Sequence, residues 1–344
     1  MAPEPDAPAI EAIIDAAFWA SLRREEGVTP RISLAYLPPE SADLPLIFSE
    51  PLALHPASLA KLAPAVERPG IHLGVWGGPD GLRVWGTTRN LPPLCFVLEV
   101  VASGLLVIKH RNEPFGKFVN VAVLEGDQVK VIDERNALHP ECPGVVQSLL
   151  GFELLTSDSA IINVLVMLAA SMRAHGRGGA LLVVPAGSSD WMDSIVGPIL
   201  YGVHPPFSWL ADLMRGEAAD GDSHEWQEEL RRAVDAIAGL TAVDGATLVS
   251  DQYELLAFGA KITRKRGNPP VERVVLTEPT VGSATVQVTP THLGGTRHLS
   301  AAQFVQDQRD ASGLVASQDG RFTIFRWSTH DDLVHAHRVE ALLL

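Results

Sequence analysis

The stretch from 158 to 185 limits the fold more than any other part of the chain. Ile161, Leu165, Leu168 and Met172 recur at helical spacing over 158–174, with Thr156-Ser157-Asp158-Ser159 supplying N-cap chemistry in front of them. His175-Gly176-Arg177-Gly178-Gly179 breaks that period, and Ala180-Leu181-Leu182-Val183-Val184 follows as an unbroken apolar run. A run without alternation belongs to a strand covered on both faces. Helix, glycine-rich turn and buried strand in that order predict an α/β domain.

The rest of the second half fits such a domain. Residues 225–238 form an amphipathic helix, with Trp226, Leu230, Val234 and Ile237 inward and Glu228, Glu229, Arg231, Arg232 and Asp235 toward water. Strands are expected at 247–249, 255–262, 271–276, 284–288, 313–316 and 321–325, and a helix at 300–305. Residues 186–222 read as a long excursion with two short helices, and 263–270 as a solvated basic loop. The tail with His330, His335 and His337 reads as an exposed polar segment. A metal site is the weaker reading there, because no acidic or thiol ligands accompany the histidines in ordered spacing.

The first half has another grammar. Ile10, Ile13, Ile14, Ala17 and Phe18 give one apolar stripe over 8–24, and a short helix is expected at 56–66 with Pro56 in its first turn. A strand is expected at 32–37, followed by a Pro-rich connection to 56, and strands at 71–76, 82–86, 94–101, 105–110, 118–124 and 129–132 predict an antiparallel meander of about six strands. Gly77-Gly78-Pro79-Asp80-Gly81 reads as a hairpin connection. Pro140, Pro143 and Gly144 mark a connector. The expected organisation is therefore an α+β domain over 1–150 and an α/β domain with a central mixed sheet flanked by helices over 151–344.

Two motifs carry the chemistry. Asp244-Gly245-Ala246 places a carboxylate beside a backbone that can be approached closely. Gly295-Thr296-Arg297-His298 opens a helix, so backbone N–H groups, a guanidinium and an imidazole collect at one positive helix end. Polyphosphate wants the second set, and a divalent metal or attacking hydroxyl wants the carboxylate. Together they read as a nucleotide site. Each alone also has a structural reading, Asp-Gly as a turn and Arg297 as the partner of a surface carboxylate.

Composition narrows the partners. A net charge of −14 over 344 residues opposes broad binding to nucleic acid or an anionic membrane. Cys95 and Cys142 make no metal spacing and suit a reducing compartment. The acidic, Pro-rich start is unlike a signal peptide, and the apolar run at 160–170 is shorter than a bilayer span. A cytoplasmic protein is expected.

Asp244-Gly245-Ala246, Gly295-Thr296-Arg297-His298 and Ser317-Gln318-Asp319, in that order and spacing, resemble the diadenylate cyclase (DisA N-terminal) domain. The first half resembles the DACNV probable sensor domain fused ahead of such domains. The resemblance implies that two ATP molecules, with Mg²⁺ or Mn²⁺, condense to cyclic di-AMP and two pyrophosphates in a face-to-face homodimer or higher oligomer. It implies that Asp244 orients or deprotonates the hydroxyl and approaches the metal, with Gly245 and Ala246 beside the nucleotide. Gly295, Thr296, Arg297, His298 and Ser317 hold phosphates, and Asp319 lies near the metal. Leu299 stands where the family has a second arginine, Val243 where it often has histidine, and Asp319 replaces a glutamate. A nucleotide-binding sensor without turnover is the alternative function.

Overall fold

The computed structural model describes residues 2–24, 27–78, 81–110, 118–135, 142–150, 159–220 and 224–344. Thr156, Ser157, Asp158, Pro79, Asp80 and Pro140, named above, lie outside them, as does the side chain of Ile161. The chain is mixed α/β, with seven α-helices and two mixed sheets among the described residues. It divides into two compact units, Met1–Asp133 with Leu344, and Glu134–Leu343. No helix among the described residues is long and apolar enough to cross a membrane.

The N-terminal unit opens with α1 (Ala7–Ser21), capped by Asp6, whose carboxylate accepts the Ala9 N–H at 2.9 Å. Its buried stripe is Ala9, Ile13, Ala16, Ala17 and Ala20, while Ile10, Ile14 and Phe18 flank it half-buried. An eight-stranded sheet follows: β1 (Ile32–Tyr36), β2 (Leu46–Ala53), β3 (His72–Gly78), β4 (Gly81–Thr88), β5 (Val97–Ala102), β6 (Leu105–His110), β7 (Val119–Glu125) and β8 (Gln128–Val131). Between β2 and β3 lies α2 (Pro56–Val66). The strand order is β2-β4-β3-β1-β5-β6-β7-β8.

Two features differ from the sequence reading. The chain returns through α2 so that β3 pairs β1 in parallel, Leu34 opposite Leu73, which makes the sheet mixed rather than an antiparallel meander. The connector before Pro56 contains β2, an exposed edge strand. Pro51 hides it in the sequence, and a sheet edge is where proline is tolerated.

β1 is covered on both faces. Ile32 and Leu34 join the core under α1 and α2, whereas Ala35 joins Leu37, Trp85, Leu91, Cys95 and Val97 on the other side. The Trp85 indole Nε1 donates to the Leu37 carbonyl at 2.8 Å inside that second cluster. Trp85→Phe should cost about 1–3 kcal/mol by orphaning a buried acceptor and thinning the packing. The check is the urea midpoint of the N-terminal unit, and an unchanged midpoint removes this bond from the account.

The C-terminal unit holds a nine-stranded sheet: β9 (Gly179–Val184), β10 (Tyr201–Phe207), β11 (Ala246–Ser250), β12 (Leu255–Ala260), β13 (Val274–Thr277), β14 (Val286–Val288), β15 (Ser312–Ala316), β16 (Phe322–Ser328) and β17 (Leu333–Arg338). The order is β10-β12-β11-β9-β15-β16-β17-β13-β14, parallel at β9–β11 and β13–β17 and antiparallel elsewhere. The helices are α3 (Gly144–Leu149), α4 (Ser159–Ala174), α5 (Trp209–Asp220), α6 (His224–Leu240) and α7 (Thr296–Asp307).

All six residues of β9 are buried, as an unbroken apolar run requires. Ala180, Leu182 and Val184 face α7, packing with Ala301, Ala302, Phe304 and Val305. Leu181 and Val183 alternate to the opposite face. The buried stripe of α4 carries Val164, Leu168, Ala169 and Met172, with Leu165 half-buried beside it.

The excursion at 186–222 contains a 3₁₀ turn (Asp190–Ser194), edge strand β10 and one helix, α5. Pro205 and Pro206 mask β10 as Pro51 masks β2. The supposed polar tail is β17, paired on both sides, with His335 and His337 buried and only His330 exposed. His335 Nε2 lies 2.6 Å from Asp331, and His337 Nδ1 lies 2.8 Å from the Thr277 hydroxyl. Hydrogen bonding lets these polar residues occupy an inner strand.

Candidate functional site

Four strand ends meet at one edge of the C-terminal sheet. β9 and β11 begin there and β12 and β15 end there, with Gly179 opposite Ala316 and Ala246 opposite Ala260. The N-terminus of α7 opens onto the same edge. Between them lies a cleft of about 490 Å³, lined by Asp244, Gly245 and Ala246, by Gly295, Thr296, Arg297 and His298, and by Ser317. That volume suits a small molecule. Of the residues singled out in the sequence, the cleft collects all except Asp319, which is absent from its wall.

Backbone geometry sets Asp244. Gly245 has φ +122, and a Cβ there would fall 2.4 Å from the Gly259 carbonyl carbon. Gly259 itself has φ +60. Two glycines back to back bring the start of β11 and the end of β12 closer than side chains allow. Asp244 therefore projects from the rim, 89 % exposed, with the Lys261 ammonium 2.5 Å from its Oδ2. That hydrogen bond and the lysine's charge, with Arg297 adding a smaller effect, hold the Asp244 carboxyl below its ordinary range.

α7 starts at Gly295 with no side-chain cap, which leaves its first turn to an outside acceptor. Arg297 reaches back over the turn before β9, where a Cβ on Gly178 would lie 3.1 Å from its Nη1. His298 is a different kind of group: it is only 1 % exposed. Its Nδ1 faces Gly294, its ring meets Phe325 edge-on, and its Nε2 is buried without a hydrogen bond. Burial pushes its pKa down to about 4, aided by Arg338, Arg321 and Arg297 and opposed by Asp319. At neutral pH the imidazole is therefore uncharged.

The Ser317 hydroxyl donates to the Asp319 carboxylate, and the Arg321 guanidinium lies 3.4 Å from Asp319 on its other side. Together these hold Asp319 below its ordinary range, the Ser317 bond foremost. No cluster of three or more His, Cys, Asp or Glu side chains fit to hold a metal occurs among the described residues. Asp244 is the carboxylate on the wall of the cleft, and it could serve as one ligand to a divalent cation.

Sequence reasoning passed over Lys261, Ile262 and Ser300, which also line the cleft. Lys261 sits between Ala260 and Ile262, where a single lysine resembles the frayed end of a strand. A pairing of the expected strands 247–249 and 255–262 is the signal that could have placed it near Asp244, as Ala246 lies opposite Ala260.

Residues 1–89 match the family model described as "Probable sensor domain DACNV". Residues 1–89 are thus supported as a probable sensor domain. No curated protein matches the chain. Among solved structures, a protein described as "hypothetical membrane spanning protein from Bacillus cereus" aligns at 14 % identity over 56 % of this chain and 70 % of that one, with a TM-score of 0.31. At that score the likeness carries no inference.

Proposed function

We propose that the C-terminal unit binds ATP with Mg²⁺ or Mn²⁺ and, in a face-to-face homodimer, condenses two ATP into cyclic di-AMP and two pyrophosphates, under control of the sensor region. The observation that supports this reading is the convergence of an exposed carboxylate, a guanidinium and an uncapped helix N-terminus on one cleft. Phosphoryl transfer asks mainly for positioning and charge neutralisation, and this set needs no covalent nucleophile.

In this reading the first N–H groups of α7 and Arg297 hold the phosphates, Ser317 supports them and Asp244 orients the ribose 3′-hydroxyl. The hydroxyl oxygen bonds to the α-phosphorus of the facing nucleotide as its proton leaves and pyrophosphate departs. The divalent cation supplies charge neutralisation on the phosphates. One cleft presents one such set, so two copies must face each other for both bonds to form.

Leu299 supports a second reading, a nucleotide sensor without turnover, because this exposed residue of the first turn of α7 offers no charge to a phosphate. The test is incubation with ATP and Mn²⁺ followed by mass spectrometry, with Asp244→Ala alongside. Cyclic di-AMP from the wild type and none from the variant is the expected result. Bound ATP without product establishes the sensor, and neither binding nor product overturns both readings.

A further inference from the structure

The cleft contains a cation already in use. Lys261 and Arg297 are the cationic side chains on its wall, and Lys261 is spent on Asp244. Its Nζ also lies 3.4 Å from the Asp244 carbonyl, so the ammonium rests on the rim rather than over the helix end. Both partners are exposed, 55 % and 89 %. An exposed ion pair contributes little, because water screens it and two flexible side chains must be ordered. A phosphate oxygen offers the same ammonium a partner of higher charge, within reach of a stem of four methylenes.

We propose that Lys261 is a phosphate-binding residue held in reserve on Asp244, and that a polyphosphate entering the cleft draws it away and uncovers the carboxylate. This rests on the nucleotide reading of the cleft and deepens it. Asp244 is then ion-paired while the cleft is empty and released from the pair once a polyanion is bound.

The test is calorimetry on the full chain without divalent metal, using inorganic tripolyphosphate, ATP and adenosine as probes. Lys261→Met should weaken tripolyphosphate and ATP roughly tenfold and leave adenosine unchanged, as loss of one charge-assisted contact predicts. Lys261→Arg should keep most of the affinity. Asp244→Asn should tighten ATP in the wild-type background, and less so beside Lys261→Met, a non-additivity that records the pair. Equal losses for ATP and adenosine in Lys261→Met, or no loss for either, overturn the proposal while leaving the nucleotide site intact. A wild type that binds none of the three probes removes the nucleotide reading and this one together.

Discussion

Gly245→Ala lowers the stability of the C-terminal unit by about 3–5 kcal/mol and takes the cleft with it. Two costs add at this position. A φ of +122 is foreign to any residue with a Cβ, and the new methyl would sit 2.4 Å from the Gly259 carbonyl carbon and 2.6 Å from its oxygen. Those are backbone atoms at the junction of β11 and β12, so no side chain can swing aside. Relief comes only by parting the two strands, which moves Asp244 and Lys261 from one another. Gly239→Ala is the control. Nothing lies within 4 Å of its added Cβ, and its place in the last turn of α6 predicts a neutral or slightly stabilising change. Amide hydrogen exchange over β11 and β12 reads the difference: exchange should speed greatly in Gly245→Ala and stay as wild type in Gly239→Ala. Wild-type protection in Gly245→Ala would refute the close-approach account.

The same junction shows which parts of the molecule were legible from sequence. Helical stripes in α1, α2, α4 and α6 and the apolar run of β9 declare themselves, because burial of one face, or of two, writes a period into the residues. Two of the four edge strands, β2 and β10, write none. β2 and β10 contribute exposed residues and contain Pro51, Pro205 and Pro206, so by composition they are connectors. β17 misled for the opposite reason. Its histidines look like surface, but Asp331 in the turn just before the strand bonds His335, and the distant Thr277 bonds His337, which makes their burial tolerable. In the cleft, the motifs named Asp244, Arg297 and His298 as chemistry-bearing. They could not show that His298 is sealed beneath the start of α7, or that Lys261 and Asp244 are joined across the β11–β12 ladder. Both facts are set by register and packing, which a linear motif does not encode.

The burial of His298 makes the second large effect one of pH. Its pKa of about 4 in the folded chain lies below the 6.5 of an exposed histidine, so between those values the unfolded chain binds a proton that the folded chain refuses. Stability therefore rises with pH across this window: the full contribution is present above pH 6.5 and is lost progressively as pH falls toward 4. At about 1.4 kcal/mol per pKa unit the loss reaches about 3 kcal/mol. Carboxylates act elsewhere on the scale. Asp244 and Asp319 are held below 3.8, so what they contribute is lost only below that value. His175, also lowered by burial, adds slope just below 6.5. Its effect is common to wild type and variant and cancels in their difference. His298→Gln removes the titrating ring, so the wild-type unfolding free energy should fall more steeply than the variant's between pH 6 and 4.5. Parallel curves would show that His298 carries a proton in the folded state. A variant curve shallower than the wild type's would confirm a neutral imidazole, and would leave the positive charge of the cleft at neutral pH to Arg297, Lys261 and the end of α7.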